Sequence, residues 1–426
     1  MTVVVVVLVV LAVLALLALV HRWLWIRLVR DTGLTGWARR SGTTALIALP
    51  LLSLAALTAG RAGAPFLLQQ VVSWPGYLWL AVLLYLTLAM LALEPVRAVW
   101  LRRSRAAAPA PVPAPAPEPV RVPEAAPEPG RPGADATPAP PAPEETPAGA
   151  TGTTRRVFVA RTLGGVAAAA ALATVGQGTY GVLRGPRVKR VTVPLARLPR
   201  AQHGFRIAVV SDVHLGPVLG RAHTQRIVDT INSTQPDLVA VVGDLVDGDV
   251  ADLGPAAEPL ARIRSRHGSF FVTGNHEYFS GAQQWVDHVR ELGLHPLENA
   301  RTEMPGFDLA GVNDVAGERE GHGPDFARAL GDRDRARASV LLAHQPVVIH
   351  DAVRYGVDLQ LSGHTHGGQM WPGEYLADLA NPTVAGLERY GDTQLYVSRG
   401  AGAWGPPVRV GAPSDITVVE LASYQT

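Results

Sequence analysis

The chain has no cysteine among its 426 residues. This absence excludes disulfide bonds, thiolate zinc sites and cysteine nucleophiles, so a metal ion could be bound only through His, Asp, Glu or Asn. Charged residues are also scarce, at 17% of the chain, whereas hydrophobic residues make up 48%. That balance is more apolar than in ordinary soluble proteins and indicates a membrane protein.

The C-terminal part of the chain lacks the basic excess that a nucleic-acid-binding protein needs. Residues 162–426 carry 23 basic and 28 acidic residues, a net charge of −5. Residues 1–105 carry ten arginines against Asp31 and Glu94, a net charge of +8. Arginines beside long apolar runs are typical of cytoplasmic membrane flanks. The charge distribution therefore argues against a nucleic-acid partner and for a membrane.

Residues 1–105 are predicted to form an all-α membrane region. Three uncharged apolar stretches, at about 3–20, 43–59 and 77–93, are long enough to cross a hydrocarbon layer of ~30 Å as helices. The alternative for each stretch is a buried core helix. Three such stretches with arginine-rich connections favour transmembrane helices.

Residues 106–153 are predicted to be a Pro/Ala-rich linker. Fifteen of the 35 prolines fall within 109–147. Proline lacks a backbone N–H and restricts φ, so we expect an extended or disordered tether. A proline-motif ligand is the alternative interpretation.

Residues 154–185 have two possible interpretations. Arg155 and Arg156, followed by Phe158 and the Ala- and Gly-rich stretch 163–182, resemble a twin-arginine export signal. The alternative is a fourth membrane helix with cytoplasmic arginines. Both interpretations put the following domain on the same side of the membrane.

The arginines predict the orientation of a multi-pass protein in the cell membrane, because they concentrate in cytoplasmic loops. Only Arg61 lies between the second and third stretches. The arginines that precede the second stretch or follow the third are Arg22, Arg27, Arg30, Arg39, Arg40, Arg97, Arg102, Arg103 and Arg105. The N-terminus is therefore expected outside. We expect 163–182 to pass outward through the membrane, which places the C-terminal domain on the extracytoplasmic side; if that stretch does not span the membrane, the domain is cytoplasmic.

Residues 188–426 are predicted to form an α/β domain. Short apolar runs predict buried strands, and helical patterns such as 224–232 lie between them. The predicted strands are Arg206 to Ser211, Leu238 to Val242, Phe270 to Thr273, Val340 to Ala343 and Leu359 to Ser362.

Each predicted strand runs directly into a polar cluster. The clusters contain Asp212 and His214; Asp244 and Asp247; Asn275, His276 and Glu277; His344; and His364 and His366. Ligands of open α/β sheets bind beyond the carboxyl ends of the strands, so we expect one shared site. Carboxylate, amide and imidazole donors without sulfur suit divalent Mn, Fe, Zn, Co or Ni. One ion would not use all of these residues. Seven of them as candidate ligands, one of them an Asp that bridges, fit two ions about 3.5–4 Å apart.

The ordered motifs D-x-H, G-D-x-x-D, G-N-H-E, H and G-H-T-H resemble the calcineurin-like metallophosphoesterase superfamily. The form G-H-T-H-G-G-Q and the segment V-S-R-G-A-G-A-W-G-P from Val397 resemble its bacterial membrane-associated or exported YkuE/YaeI-like phosphodiesterase branch. The resemblance implies a two-sheet α/β sandwich with flanking helices over residues 188–426.

The resemblance also implies a site with two divalent ions, Mn, Fe or Zn, and one catalytic histidine, His276. The ligands that it implies are Asp212, His214 and His366 for the first ion, Asp244 as the bridge, and Asn275, His344 and His364 for the second ion. From the residues alone, Asp247 is expected to orient a ligand histidine. Glu277 has two interpretations: its side chain caps or packs against neighbouring structure, or it contacts the substrate.

The expected function is that of a membrane-anchored metal-dependent phosphoesterase. A metal-activated hydroxide would hydrolyse a phosphodiester, with phospholipid head groups or cell-envelope phosphodiesters as candidate substrates. One alternative is a phosphomonoesterase or protein phosphatase using the same site. Another is a non-catalytic metal-binding membrane sensor, which the intact set of motif residues disfavours.

Overall fold

The computed structural model describes residues 2–106 and 155–424. The linker predicted over 106–153 therefore lies, apart from Ala106, outside the described residues, and its extended or disordered character stays a prediction. Ala106 ends a helix.

Four long helices are present in the described ranges outside the α/β domain. They are α1 (Thr2–Trp25), α2 (Gly36–Thr58), α3 (Phe66–Ala106) and α4 (Arg155–Leu183), and a π-helical turn, Ile26–Arg30, extends α1. Each is long and apolar enough to cross a membrane. The predicted stretches 3–20 and 77–93 lie within α1 and α3, and the stretch 43–59 lies within α2 except for Ala59, which follows the last residue of that helix.

The helices α2 and α3 approach closely at a small residue. A Cβ atom on Gly76 would lie 2.5 Å from the carbonyl oxygen of Leu52, so only glycine permits this spacing. The Ser53 hydroxyl donates a hydrogen bond of 2.7 Å to the carbonyl of Gly76. Small residues and interhelical hydrogen bonds of this kind stabilise helix pairs in lipid, where no hydrophobic effect holds helices together.

The arginine-rich ends of the helices lie together. Arg27 forms an ion pair of 2.6 Å with Glu94, and Arg97 lies 3.2 Å from Asp31, so the end of α1 contacts the second half of α3. At the same end, the Arg161 guanidinium near the start of α4 donates to the backbone carbonyl that follows Asp31. Because α4 begins at this arginine-rich end, the α/β domain follows from the opposite end of α4.

The α/β domain contains two six-stranded sheets, in the orders β1-β12-β2-β3-β4-β5 and β10-β11-β9-β8-β7-β6. The strands are β1 (Arg187–Leu195), β2 (Phe205–Val210), β3 (Leu238–Val242), β4 (Ser269–Val272), β5 (His295–Pro296), β6 (Ala300–Met304), β7 (Phe307–Gly311), β8 (Ala338–Leu342), β9 (Leu359–Ser362), β10 (Gly386–Tyr390), β11 (Thr393–Val397) and β12 (Asp415–Ser423). The α-helices are α5 (Arg221–Ser233), α6 (Val250–Ala257), α7 (Asn275–Ser280), α8 (Ala282–Glu291), α9 (Phe326–Leu330), α10 (Ile349–Arg354) and α11 (Gly373–Asp378).

Alternate residues of each strand pack into different layers. In β2, Ile207 and Val209 pack between the two sheets, whereas Ala208 and Val210 pack beneath the helices of the first sheet, around the fully buried Trp285. A third core lies between the second sheet and its helices. The two-residue period of a strand explains this division, since successive side chains point to opposite faces. The predicted two-sheet α/β sandwich with flanking helices is confirmed.

The five predicted strands are present with ends shifted by at most two residues. The predicted strand at 206–211, for example, runs from Phe205 to Val210, because the Ser211 side chain already bonds to the neighbouring strand. The sequence analysis did not identify β1 and β12, the long pair at the edge of the first sheet. The helical pattern over 224–232 lies within α5.

Candidate metal centre

The polar clusters meet because the strands that carry them are neighbours. The strands β2, β3 and β4 are parallel and adjacent in one sheet, and β8 and β9 are parallel and adjacent in the other. The backbone N–H of His364 joins the two sheets by donating to the Asp212 carboxylate at 3.0 Å. Five strand ends therefore meet in one place, as the motif order predicts.

The first group of donors is formed by Asp212, His214 and His366, whose candidate ligand atoms all lie within 4.8 Å of one another. The Nε2 atoms of the two histidines are 3.0 Å apart, and Nε2 of His366 is 3.4 Å from Oδ1 of Asp212. All three residues are buried. Two imidazole nitrogens about 3 Å apart have the spacing of neighbouring ligands with metal–nitrogen bonds of about 2.0–2.1 Å.

The second group is formed by Asp244, His344 and His364, again within 4.8 Å of one another. Oδ2 of Asp244 lies 3.1 Å from Nε2 of His344 and 3.8 Å from Nε2 of His214, so this carboxylate faces both groups. Oδ1 of Asn275 lies 3.0 Å from Nδ1 of His364. The structure thus brings together all seven residues expected to bind metal.

Two histidines are held in the tautomer that a metal ligand needs. Nδ1 of His344 donates to the Val242 carbonyl at 2.9 Å, and its buried Nε2 makes no hydrogen bond to any described residue. Nδ1 of His214 lies 2.9 Å from the Asp247 carboxylate. A carboxylate or carbonyl on one ring nitrogen leaves the lone pair of the other free for a cation. These donors therefore fit divalent metal ions.

The electrostatics of the two groups also suit cations. Burial alone would lower the pKa of His214, but the carboxylates of Asp247 and Asp244 outweigh it and raise that pKa to about 9. Burial would raise the pKa of Asp244, but the facing imidazoles of His344 and His214 hold it well below its usual range. The Asp244 carboxylate therefore stays ionised and stabilises positive charge between the two groups, whereas burial raises the pKa of Asp212 in the first group.

The imidazole of His276 lies beside both groups. Its Nδ1 is 2.7 Å from Oδ1 of Asp247, and its Nε2 is 4.0 Å from Oδ2 of Asp244. Asp247 thus contacts both His214 and His276, which agrees with the orienting role expected for it. Burial raises the pKa of Asp247, but the two imidazoles outweigh burial and lower it to about 2.

The backbone around the site adopts an unusual conformation. Among the described residues, eight that are not glycine have positive φ, and five of the eight belong to the site. The five are Asp212 (52°), His214 (49°), Asp244 (51°), His364 (74°) and His366 (53°). Such angles cost about 1–3 kcal/mol each and cluster at functional sites, where the surrounding structure holds them. Sequence patterns carry no signal for them.

The Glu277 carboxylate holds two of the strand-end turns together. It is fully buried and accepts hydrogen bonds from the backbone N–H groups of Asp244 at 3.0 Å, Leu245 at 2.7 Å and Gly274 at 2.6 Å. Burial and the nearby Asp244 raise its pKa to about 7. Of the two expected roles, the structure supports capping and not substrate contact.

Arg409 positions His366, and no motif identified it. This buried arginine donates to the backbone carbonyl of His366 at 3.0 Å, and its Nη2 lies 3.2 Å from Nδ1 of the same residue. Burial lowers the pKa of Arg409 to about 10. A single arginine in a glycine-rich segment offers no sequence signal, because its partner lies 43 residues away.

Comparison with known proteins agrees with this geometry. The profile of the calcineurin-like phosphoesterase family matches residues 205–368. A transmembrane protein with metallophosphoesterase domain from Danio rerio is 38% identical over 269 residues, which cover 59% of this chain and 62% of that protein. The metallophosphoesterase YkuE of Bacillus subtilis is 29% identical over 283 residues, or 63% of this chain and 98% of that one.

The extent of these matches differs between relatives. The chain spans 62% and 59% of the length of the vertebrate relatives from Danio rerio and Bos taurus. A metallophosphoesterase of Aquifex aeolicus is 34% identical over 240 residues, and the match covers 55% of this chain and 91% of that protein. With the site geometry and the profile match, this coverage confirms the resemblance: the chain belongs to the calcineurin-like phosphoesterase family.

Proposed function

We propose that this chain is a membrane-anchored phosphoesterase that uses two divalent metal ions. The observation that carries the proposal is the gathering of six donor residues into two adjacent groups, with Asn275 beside the second group and Asp244 facing both. Two ions held about 3.5–4 Å apart are the arrangement that many phosphoester-hydrolysing enzymes use. The names of the relatives, which contain the word metallophosphoesterase, support the same activity.

The proposed ligands follow the two groups. Asp212, His214 and His366 would hold the first ion, Asn275, His344 and His364 the second, and Asp244 would bridge them. Mn, Fe and Zn are all compatible with a set of carboxylate, amide and imidazole donors. When bound, such ions polarise the phosphoryl oxygens and lower the pKa of an attacking water.

His276 would deliver the proton to the leaving oxygen. Because Nδ1 faces the Asp247 carboxylate, which can only accept, the ring keeps one hydrogen on Nδ1; in the doubly protonated ring the second hydrogen lies on Nε2, faces the site and is the proton that would be delivered. The side chain is partly exposed, so a substrate can reach it. A positioned imidazole of this kind can act as a general acid.

A phosphodiester is the substrate that we favour, with phospholipid head groups or cell-envelope phosphodiesters as candidates. Hydrolysis by the full-length protein in detergent tests this, after chelation and reloading with Mn, Fe or Zn. We expect metal-dependent turnover of bis(p-nitrophenyl) phosphate that exceeds turnover of p-nitrophenyl phosphate and of a phosphopeptide. Faster turnover of either monoester would instead support a phosphomonoesterase or protein phosphatase. Bound metal without any turnover would support a non-catalytic sensor.

We also propose that α1 to α4 all cross the cell membrane and that the α/β domain is extracytoplasmic. The arginine-rich helix ends lie together, joined by the contacts of Arg27, Arg97 and Arg161, and the α/β domain follows the opposite end of α4. Arginines mark the cytoplasmic side, so this arrangement supports an outward-facing domain.

The packing of α4 supports a retained fourth membrane helix over a cleaved twin-arginine signal. Ala167 and Ala171 are buried in one cluster with Leu24 of α1 and Tyr85 of α3. A segment removed after export would leave this face of the bundle uncovered.

Protease added to intact cells stripped of their wall should digest the α/β domain. The reason is that α4 begins at its arginine-rich end, which is expected in the cytoplasm, and crosses the membrane once before the α/β domain begins. Western blotting of a tag fused after Thr426 measures this. A tag fused to a chain that ends at Arg103 is the control and should stay protected. Digestion of the Thr426 fusion only after lysis would contradict the orientation.

A further inference from the structure

An exposed apolar segment follows the last metal-ligand motif. We call residues 370–379, which include α11, the interfacial segment. Four of its large apolar side chains are exposed: Trp371 by 46%, Tyr375 by 65%, Leu376 by 72% and Leu379 by 84%. Scattered exposed apolar residues are ordinary, but four within nine residues form a patch of the kind that marks an interaction surface.

The interfacial segment is attached to the apolar helices. The Tyr85 hydroxyl of α3 donates to the backbone carbonyl of Trp371 at 3.0 Å. Tyr85 is eight residues from either end of the apolar stretch 77–93, which is about 12 Å along a helix axis. Met370 and Val410 pack into the same cluster as α1, α3 and α4. The segment therefore lies beside the part of α3 that lipid would surround.

The helix in the interfacial segment is amphipathic. At 100° per residue, Glu374 and Asp378 lie on one face of α11, and Tyr375 and Leu376 lie on the other, which Leu379 continues one residue past the end of the helix. A face of this kind, next to membrane-spanning helices, is typical of a helix that buries its apolar side among the acyl chains. Lipid is the occupant that this continuity favours.

The interfacial segment also reaches the candidate catalytic histidine. Gln369, directly before the segment, exchanges two hydrogen bonds of 2.9 Å with the backbone of Trp404. The exposed ring of Trp404 lies 5.7 Å from the ring of His276. The exposed ring of Phe279 lies 5.5 Å from the ring of His276. Two apolar side chains thus border the histidine, and one is held by the residue next to the membrane-facing patch.

We propose that the interfacial segment inserts its apolar face into the lipid bilayer and that the metal site acts on a phosphoester carried by a bilayer lipid. This rests on the proposed phosphoesterase function and specifies its substrate class. The apolar rings at the entrance would contact the non-polar part of the lipid, while the buried donors face its phosphate.

The insertion is tested with spin labels on single cysteines, because the chain has none of its own. Leu376→Cys and Leu379→Cys in the full-length protein are labelled in vesicles of phosphatidylcholine and phosphatidylglycerol. We expect the labels to be reached by oxygen more than by a water-soluble nickel complex. Val347→Cys is the control. Val347 is 43% exposed, but it lies outside the interfacial segment and outside the cluster formed by α1, α3 and α4. Nickel accessibility at 376 and 379 equal to that at 347 would overturn the insertion.

The substrate class is tested with two esters that share one reacting group. Diacylglycerol p-nitrophenyl phosphate in the vesicles and soluble glycerol p-nitrophenyl phosphate differ only in their acyl chains. We expect the unaltered protein to favour the lipid ester, and Leu376→Glu with Leu379→Glu to lower the ratio of the two kcat/KM values at least tenfold. Val347→Glu should leave that ratio unchanged.

The outcomes separate this inference from the function on which it rests. An unaltered protein that hydrolyses only the soluble ester, or a ratio that the double substitution does not change, overturns the lipid substrate and leaves the phosphoesterase in place. Absence of metal-dependent hydrolysis of both esters by the unaltered protein overturns the phosphoesterase itself.

Discussion

Asp244→Asn should lower both metal content and turnover in the full-length protein. The substitution keeps the size of the side chain and an oxygen for the N–H of His276, which donates to Oδ1 at 2.9 Å. It removes the negative charge that faces His344 and His214 and that would hold two cations close together. Loss of a residue that only supports a ligand costs about 10–100-fold in metal affinity or activity, so loss of the bridge should lower kcat/KM more than about 100-fold.

Metal analysis and kinetics on the same preparation measure this effect. Asp308→Asn is the matched control, because Asp308 is also fully buried but pairs with Arg337 at 2.9 Å in the second sheet. The control should lower the melting temperature while metal content per folded chain stays at the parent value. An Asp244→Asn protein with the metal content and turnover of the parent would show that Asp244 is not the bridge.

His276→Ala should lower kcat by roughly 10²–10⁴, the range of a positioned general acid, while metal content stays near that of the parent. His276 is the one motif histidine outside the proposed ligand set, and its imidazole is held by Asp247 at 2.7 Å. Substrates with good leaving groups need little protonation on departure. They should therefore lose less activity than substrates with poor leaving groups.

Turnover of two diesters that differ in leaving-group pKa, with metal analysis of each sample, checks this prediction. His295→Ala is the control, because His295 lies on the edge strand β5 and contacts Phe270 instead of the site. Metal loss in proportion to activity would make His276 a ligand. An unchanged kcat on the poor leaving group would remove it from the mechanism.

The α/β architecture was predictable because its signals are local. Buried strands such as Leu238–Val242 are continuous apolar runs, and the residue types that bind metal follow them directly in the sequence. The edge pair β1 and β12 was not predictable in the same way. β1 alternates exposed and half-buried residues over most of its length, and it pairs with a strand more than 200 residues later.

The supporting contacts of the site were only partly predictable. Asp247 was expected to orient a histidine because it is a carboxylate next to the predicted ligands, and it contacts two histidines. No sequence pattern indicated Arg409, because its role depends on a hydrogen bond to the backbone carbonyl of His366, which is distant in the sequence. The link from Tyr85 to Trp371 joins residues 286 positions apart and has no pattern in the sequence.

The sequence by itself determined the apolar stretches, the position of each motif directly after a strand, and the chemistry of the donor atoms. Residue type and spacing are properties of the chain alone. Only the tertiary structure decided that Asp244 faces both groups, that Glu277 joins two turns through three backbone N–H groups, and that five residues of the site adopt positive φ angles. These features depend on distances between residues far apart in the chain. Such distances are set by the packing of two sheets and a helix bundle, which no local pattern encodes.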